Sequence, residues 1–168
     1  MEVNSLRDLF VYELQGMYDV ENKLVDALDD LSVETTNEDI SQAFAEHRSE
    51  TETHVERLDD AFRALGEEPE RRDDKVIDGL VEEHDRFEGV ATNDDVRDMF
   101  ALGAGMKSER VEITSYEGLL MLADQLDFGN DVTDPLESNM SDEKQALSDL
   151  QELAGGSKLK SLVSRITG

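Results

Sequence analysis

Residues 40–65, ISQAFAEHRSETETHVERLDDAFRAL, decide the fold of this chain. Residues at a spacing of three or four form one stripe, which consists of Ile40, Phe44, His47, Thr51, His54, Leu58, Ala61 and Leu65. This spacing predicts a helix that turns one face towards the centre of a helix bundle. Two histidines interrupt the stripe, and Glu50 stands next to Thr51. Polar side chains on an otherwise apolar face indicate a site inside the bundle.

Three more stretches repeat the spacing, and each carries a glutamate on its apolar stripe. The glutamates, with the extent of each stripe, are Glu21 (10–31), Glu109 (99–120) and Glu143 (136–154). An ionised carboxylate in a bundle core is costly unless it is paired or bound to a metal. Carboxylates on all four predicted helices therefore point to one shared site.

Breaks between these stretches predict the order of the helices. Thr35 and Glu38 resemble a capping box for the second helix, Gly66 fits its C-terminal cap, and Asp134-Pro135 predicts a sharp start for the fourth. The connection between the second and third helices has roughly 28 residues, too many for an up-down-up-down bundle. We therefore predict an all-α, ferritin-like four-helix bundle whose long crossover contains a short extra helix.

The bundle is expected to span residues 1–154. A basic amphipathic tail, residues 155–168, follows it and carries Lys158, Lys160 and Arg165 among apolar residues. Such a tail would dock on the acidic bundle or on a second subunit.

Composition limits the function classes. Asp and Glu number 42 against 16 Lys and Arg, which gives a net charge of −26. This charge argues against nucleic acid and anionic membranes as partners, and it is typical of halophilic proteins. The chain has no Cys, no apolar run long enough to span a bilayer and no basic-then-apolar signal pattern, so we expect a cytoplasmic protein without disulfides or thiolate chemistry.

The predicted hairpins bring the acids close together. If the first two helices turn back near residue 35, Glu21 lies level with about position 48, between His47 and Glu50. Di-iron and di-manganese bundles take one Glu from each of two helices and a Glu-x-x-His motif from each of the other two. The candidate metal ligands here are Glu21, Glu50, His54, Glu109, Glu112 and Glu143. The residues expected to orient them are His47, Tyr18 and Tyr116.

Two features depart from that pattern. Glu50 and His54 are four residues apart rather than three, although both spacings keep side chains on one helix face. The second histidine is missing, because Ala146 and Leu147 follow Glu143 at the third and fourth positions.

Several motifs resemble the YciE/YciF family of ferritin-like proteins. They are LFVYEL at residues 9–14 with Tyr18 and Glu21, then His47, Glu50-Thr51, HVERL at 54–58 and Leu65-Gly66, and finally Glu109, Glu112 and YEG at 116–118. The resemblance implies a ferritin-like fold, a homodimer and a link to stress responses. Family members often carry an acid near position 147, where this chain has leucine.

Two functions are consistent with these observations. The first is a non-haem dinuclear metal protein that acts on O₂, peroxide or Fe²⁺, with two divalent ions; analogy favours iron over manganese. The alternative is a metal-free, stress-associated interaction protein whose buried carboxylates are protonated or hydrogen-bonded. Leu147 and the missing histidine favour the alternative.

Overall fold

The computed structural model describes residues 2–156, and within them the chain forms five helices and no strand. The helices are α1 (Leu6–Glu34), α2 (Glu38–Leu65), α3 (Lys75–Glu88), α4 (Asp94–Gln125) and α5 (Asn130–Gly155). The hairpins α1–α2 and α4–α5 pack together, with α2 against α5 and α1 against α4, while α3 lies in the crossover against α1 and α4. The predicted ferritin-like bundle with a helix in its crossover is confirmed.

Helix ends follow the local chemistry of the chain. The Ser5 side chain caps α1, and Gly66 ends α2 in the left-handed conformation that glycine adopts without strain. The predicted capping box at Thr35 is wrong by two residues. Asn37 caps α2 instead, because its side-chain oxygen accepts hydrogen bonds from the backbone N–H groups of Asp39 and Ile40.

The predicted start of the fourth helix at Asp134-Pro135 is also wrong. Helix α5 begins at Asn130 and contains Pro135, which forfeits one backbone hydrogen bond. The extra turn brings Val132 into the core, where it is 3% exposed, and this burial offsets the lost bond.

The core of the bundle is mainly aliphatic, because aromatic residues make up only 5% of the chain. Among residues 2–156, no helix combines the length and the apolar character needed to cross a membrane. The predicted basic tail lies outside the described residues except for Gly155 and Gly156.

A buried aspartate ties the two hairpins together at one end of the bundle. Asp98 of α4 is 1% exposed and accepts hydrogen bonds from the Thr36 and Asn37 backbone N–H groups and the Thr36 hydroxyl, at 2.9, 2.9 and 2.8 Å. The carboxylate therefore fixes the α1–α2 turn against the first turns of α4.

Replacing Asp98 with alanine should leave these buried donors without partners. We expect Asp98→Ala to lower the free energy of unfolding by about 1–3 kcal/mol in denaturant titrations. Asp124→Ala removes an exposed carboxylate from the same helix and serves as the control. Equal stability of the two variants would contradict this role.

Candidate metal centre

Six ionisable side chains meet in the middle of the bundle, and together they are called the central cluster. Its members are Glu21 of α1, His47 and His54 of α2, Glu109 and Glu112 of α4, and Glu143 of α5. The four glutamates and His54 are 0% exposed and His47 is 6% exposed. The expected convergence of acids from separate helices therefore holds for Glu21, Glu109, Glu112 and Glu143.

The cluster contains two groups of three side chains with a shared member. In the first group, Nδ1 of His54 lies 2.9 Å from Oε1 of Glu143 and 3.5 Å from Oε2 of Glu21. In the second, Nε2 of His47 lies 3.2 Å from Oε1 of Glu109 and 3.4 Å from Oε2 of Glu143. In each group, one potential ligand atom per residue lies within 4.8 Å of the others. Glu143 belongs to both groups and turns one oxygen towards each histidine.

Most ligand atoms of the cluster lack a hydrogen bond of acceptable geometry within the described part of the chain. They include Oε2 of Glu21, Nδ1 of His54 and both carboxylate oxygens of Glu109, Glu112 and Glu143. The contacts of Glu21, Glu109 and Glu143 with the histidines are short but not aligned as hydrogen bonds. Buried polar atoms normally have partners, so these residues fit a bound cation. Carboxylate and imidazole donors suit iron, manganese and other divalent ions.

Burial and mutual repulsion change the proton affinity of the acids. Burial raises the pKa of Glu143 to about 8, and the charge of Glu21 adds to the effect. Burial likewise raises the pKa of Glu112 well above its usual range, together with the charges of Glu143 and Glu109. The metal-free cluster therefore keeps protons on carboxyl groups near neutral pH.

The pKa values of the two histidines are also raised, but for a different reason. Burial alone would lower the pKa of His54, but contacts with the Glu143 and Glu21 carboxylates raise it to about 10. Burial would also lower the pKa of His47, but contacts with Glu109 and Glu50 raise it well above its usual value. Protonated histidines then compensate part of the negative charge.

A hydrogen-bond network orients the first group from one side. The Tyr116 hydroxyl donates to Oε1 of Glu21, and the Asn139 amide donates to that hydroxyl at 2.8 Å and to the His54 carbonyl at 3.2 Å. Arg57 donates to Oδ1 of Asn139 at 3.0 Å. Tyr116 therefore contacts a candidate ligand, as expected for a residue that orients one. Asn139 was missed, although it lies one turn before Glu143 on the same helix face and is fully buried.

Asp142 is a second residue that the sequence reasoning missed. Its carboxylate accepts a hydrogen bond from Arg57 at 2.6 Å and lies 3.5 Å from Nε2 of His54. Tyr18 was expected to orient a ligand, but its ring packs edge-on against Phe62 and its hydroxyl faces Asp59. The structure does not bring Tyr18 to the cluster.

The expectation that Glu50 belongs to the buried set is corrected by the structure. Its side chain is 56% exposed, and its Oε2 lies 3.5 Å from Nδ1 of His47. Thr51, fully buried, occupies the inward position, and the adjacent residue of a helix is rotated by about 100°. His47, which was expected only to orient ligands, lies in the cluster itself. Its contact with Glu50 lowers the pKa of that carboxyl group.

These features define a ferritin-like four-helix bundle with a buried histidine–carboxylate cluster. The chain belongs to the DUF892 family, described as a domain of unknown function, whose model matches residues 5–162. It is 34% identical to Protein YciF of Escherichia coli over 129 residues, which cover 76% of this chain and 78% of the relative.

Two solved structures share the fold. The crystal structure of the E. coli stress protein YciF matches with a TM-score of 0.85 and 31% identity, over 90% of this chain and 96% of the other. YcfI from Rhodopseudomonas palustris, for which a structural role is suggested, matches with a TM-score of 0.87 and 31% identity, over 89% and 95%. The resemblance to the YciE/YciF family is thereby confirmed.

Chelator-treated protein should lose stability as the pH rises from about 6.5 to about 8. The unfolded chain releases the protons of His54 and Glu143 near their ordinary pKa values of 6.5 and 4.5, whereas the folded state holds them to about 10 and 8. The folded state then binds more protons, so the free energy of unfolding falls with pH. Denaturant titrations at constant, high KCl concentration measure this slope.

Glu143→Gln provides the matched variant for this measurement. Because glutamine does not titrate, the stability of this variant should depend less steeply on pH than that of the native protein. A flat or rising stability of the native protein over the same range would show that the cluster does not hold these protons.

Proposed function

We propose that the protein is a ferritin-like, non-haem dinuclear metal protein. The observation that carries the proposal is the position of Glu143, which turns Oε1 towards His54 and Oε2 towards His47. A carboxylate shared in this way suits two neighbouring cations, each with its own histidine and its own second glutamate. One bridging carboxylate can hold both ions and offset part of their mutual repulsion.

The proposed ligands follow the two groups. Glu21, His54 and Glu143 would hold one ion, and His47, Glu109 and Glu143 the other. Glu112 is fully buried beside them and would complete either coordination sphere. Analogy with ferritin-like proteins favours iron over manganese, since the donor types suit both.

Bound iron or manganese would supply one-electron redox chemistry towards O₂, peroxide or substrate Fe²⁺. The protein's own residues would hold the site in shape and keep it dry. Tyr116 and Asn139 orient Glu21 and the His54 backbone, and Asp142 faces the other ring nitrogen of His54. Such partners fix the orientation of ligands and tune their basicity. The likeness to the E. coli stress protein YciF supports a role in stress.

The alternative is a metal-free helical-bundle protein that acts through interactions with other proteins. The raised pKa values of Glu112, Glu143 and both histidines favour it, because protons alone can then neutralise much of the cluster. The structural role suggested for YcfI also agrees with this alternative. Metal binding distinguishes the two functions.

Protein stripped with a chelator should bind two equivalents of Co²⁺ or Mn²⁺ per chain, one for each group. Glu143→Ala should abolish tight binding at both positions, because this residue serves both groups. His54→Ala should abolish it at one position only. Equilibrium dialysis with elemental analysis measures the stoichiometry, and metal should raise the melting temperature of the native protein.

Glu137→Ala is the control, because it removes an exposed carboxylate from the same helix. It should bind as much metal as the native chain. Absence of binding to native protein, or equal loss in the Glu137 and Glu143 variants, would contradict the dinuclear proposal and favour the metal-free alternative.

The redox part of the proposal predicts faster oxidation of Fe²⁺. Native protein mixed with Fe²⁺ under argon and then exposed to O₂ or peroxide, in separate experiments, should form Fe³⁺ faster than buffer does. Tyr116→Phe should slow the reaction about tenfold, since partners of ligands commonly have effects of that size. Oxidation at the buffer rate in protein that binds two ions would restrict the function to metal binding.

A further inference from the structure

We propose that divalent cations reach the central cluster through an acidic passage between α2 and α5 that ends at His47. This inference rests on the proposed function and concerns the route by which the metal enters. The passage, here called the entry groove, is lined by Glu46, His47, Glu50 and Asp149 together with four apolar residues, Ala43, Phe44, Ala146 and Leu150. It encloses about 80 Å³ next to His47 and opens outwards into a wider surface groove that shares Ala43, Glu46 and Asp149.

His47 connects the groove with the interior. Its Nε2 lies 3.2 Å from Glu109 and 3.4 Å from Glu143 on the inner side, while its Nδ1 lies 3.5 Å from Glu50 on the outer side. The side chain is 7% exposed, and Nδ1 makes no hydrogen bond of acceptable geometry with the described residues. A buried ring nitrogen without an aligned partner therefore lines the inner end of an acidic groove. A cation at His47 would pass from Glu50 on the outer side of the imidazole ring to Glu109 and Glu143 on its inner side.

Two further acids flank the route from opposite helices. Glu46 of α2 accepts a hydrogen bond from Gln42 at 2.7 Å, and Asp149 of α5 accepts one from Gln145 at 2.7 Å. Because an amide group carries no charge, these bonds orient the carboxylates and leave their negative charge in place. Both acids line the inner cavity and the outer groove, so they stand where the two meet.

Another cleft of the bundle has a different character. It encloses about 70 Å³ between α1, α3 and α4, and its apolar walls also carry Asp30, Glu34, His84 and Asp85. No member of the central cluster lines it. Both clefts therefore carry acids, but a cation in this cleft would meet no residue of the two candidate ligand groups. The groove between α2 and α5 offers carboxylates along the way and a cluster residue at its end.

The route makes a kinetic prediction. A cleft lined by charge of one sign raises the local concentration of counter-ions and increases association rates by about 10- to 1,000-fold. Glu46 and Asp149 lie outside the two ligand groups, so they should affect the speed of metal uptake and not its final extent.

The test compares two double variants of the full chain with the native protein. Glu46→Gln with Asp149→Asn removes two charges from the groove. Glu56→Gln with Glu137→Gln removes two exposed charges from the same two helices, away from the groove. Chelator-stripped proteins are mixed with Co²⁺ at moderate salt in a stopped-flow instrument, and the visible absorption of bound Co²⁺ gives the rate. Dialysis then gives the stoichiometry at equilibrium.

The groove variant should take up Co²⁺ about tenfold more slowly than the native chain. The control variant should match the native rate within about twofold, and the difference should shrink near 1 M KCl, where screening acts over only about 3 Å. All three proteins should bind two equivalents at equilibrium.

Any other result would contradict the proposed entry route. If both variants take up Co²⁺ equally slowly, the overall charge of the protein controls uptake. If both variants match the native rate, cations enter the bundle elsewhere. Loss of equilibrium binding in the groove variant alone would make Glu46 or Asp149 ligands rather than entry residues. If the native chain binds no Co²⁺ at equilibrium, the dinuclear proposal itself fails and the entry route fails with it.

Discussion

The burial of four glutamates between four helices is the constraint on which the rest of the structure depends. Each is 0% exposed, and together they would place a charge of −4 in an aliphatic core if all were ionised. Such a concentration of charge is far too costly without compensation. The protein provides partial compensation through His47 and His54 and through protons on Glu112 and Glu143. Two divalent cations would compensate the charge more completely.

Around this cluster, the polar residues divide into two sets with different tasks. Tyr116, Asn139 and Asp142 lie on one side and hold Glu21 and His54 in position. On the other side, Glu50 and His47 connect the cluster with an acidic groove. Hydrogen bonds therefore order the first group, while the second group lies next to the groove that we propose as the route for cations. The two histidines of α2 therefore have different surroundings, although they lie only seven residues apart.

The sequence predicted the fold and most of the cluster, because both depend on helical periodicity. Glu21, Glu109 and Glu143 interrupt apolar stripes, and a stripe identifies the buried face of a helix without further information. Glu50 was placed wrongly because it adjoins the stripe, and a shift of one residue turns a side chain from the core to the surface. Asn139 was missed because an amide on a buried face resembles an ordinary core polar residue until its partners are known.

Other expectations depended on tertiary contacts that periodicity does not encode. The start of α5 was predicted from the chemistry of Asp134-Pro135, but burial of Val132 extends the helix by a turn. The expected homodimer, the adaptation to high salt and the docking of the basic tail stay predictions. Part of the surface charge lies close to the cluster, since Glu46 and Asp149 line the groove that ends at His47.

Anomalous X-ray diffraction from crystals grown with Mn²⁺ tests the central claim most directly. We expect two anomalous peaks inside the bundle on either side of Glu143, one beside Glu21 and His54 and the other beside His47 and Glu109. Peaks confined to surface carboxylates, with the cluster unchanged between the helices, would contradict it.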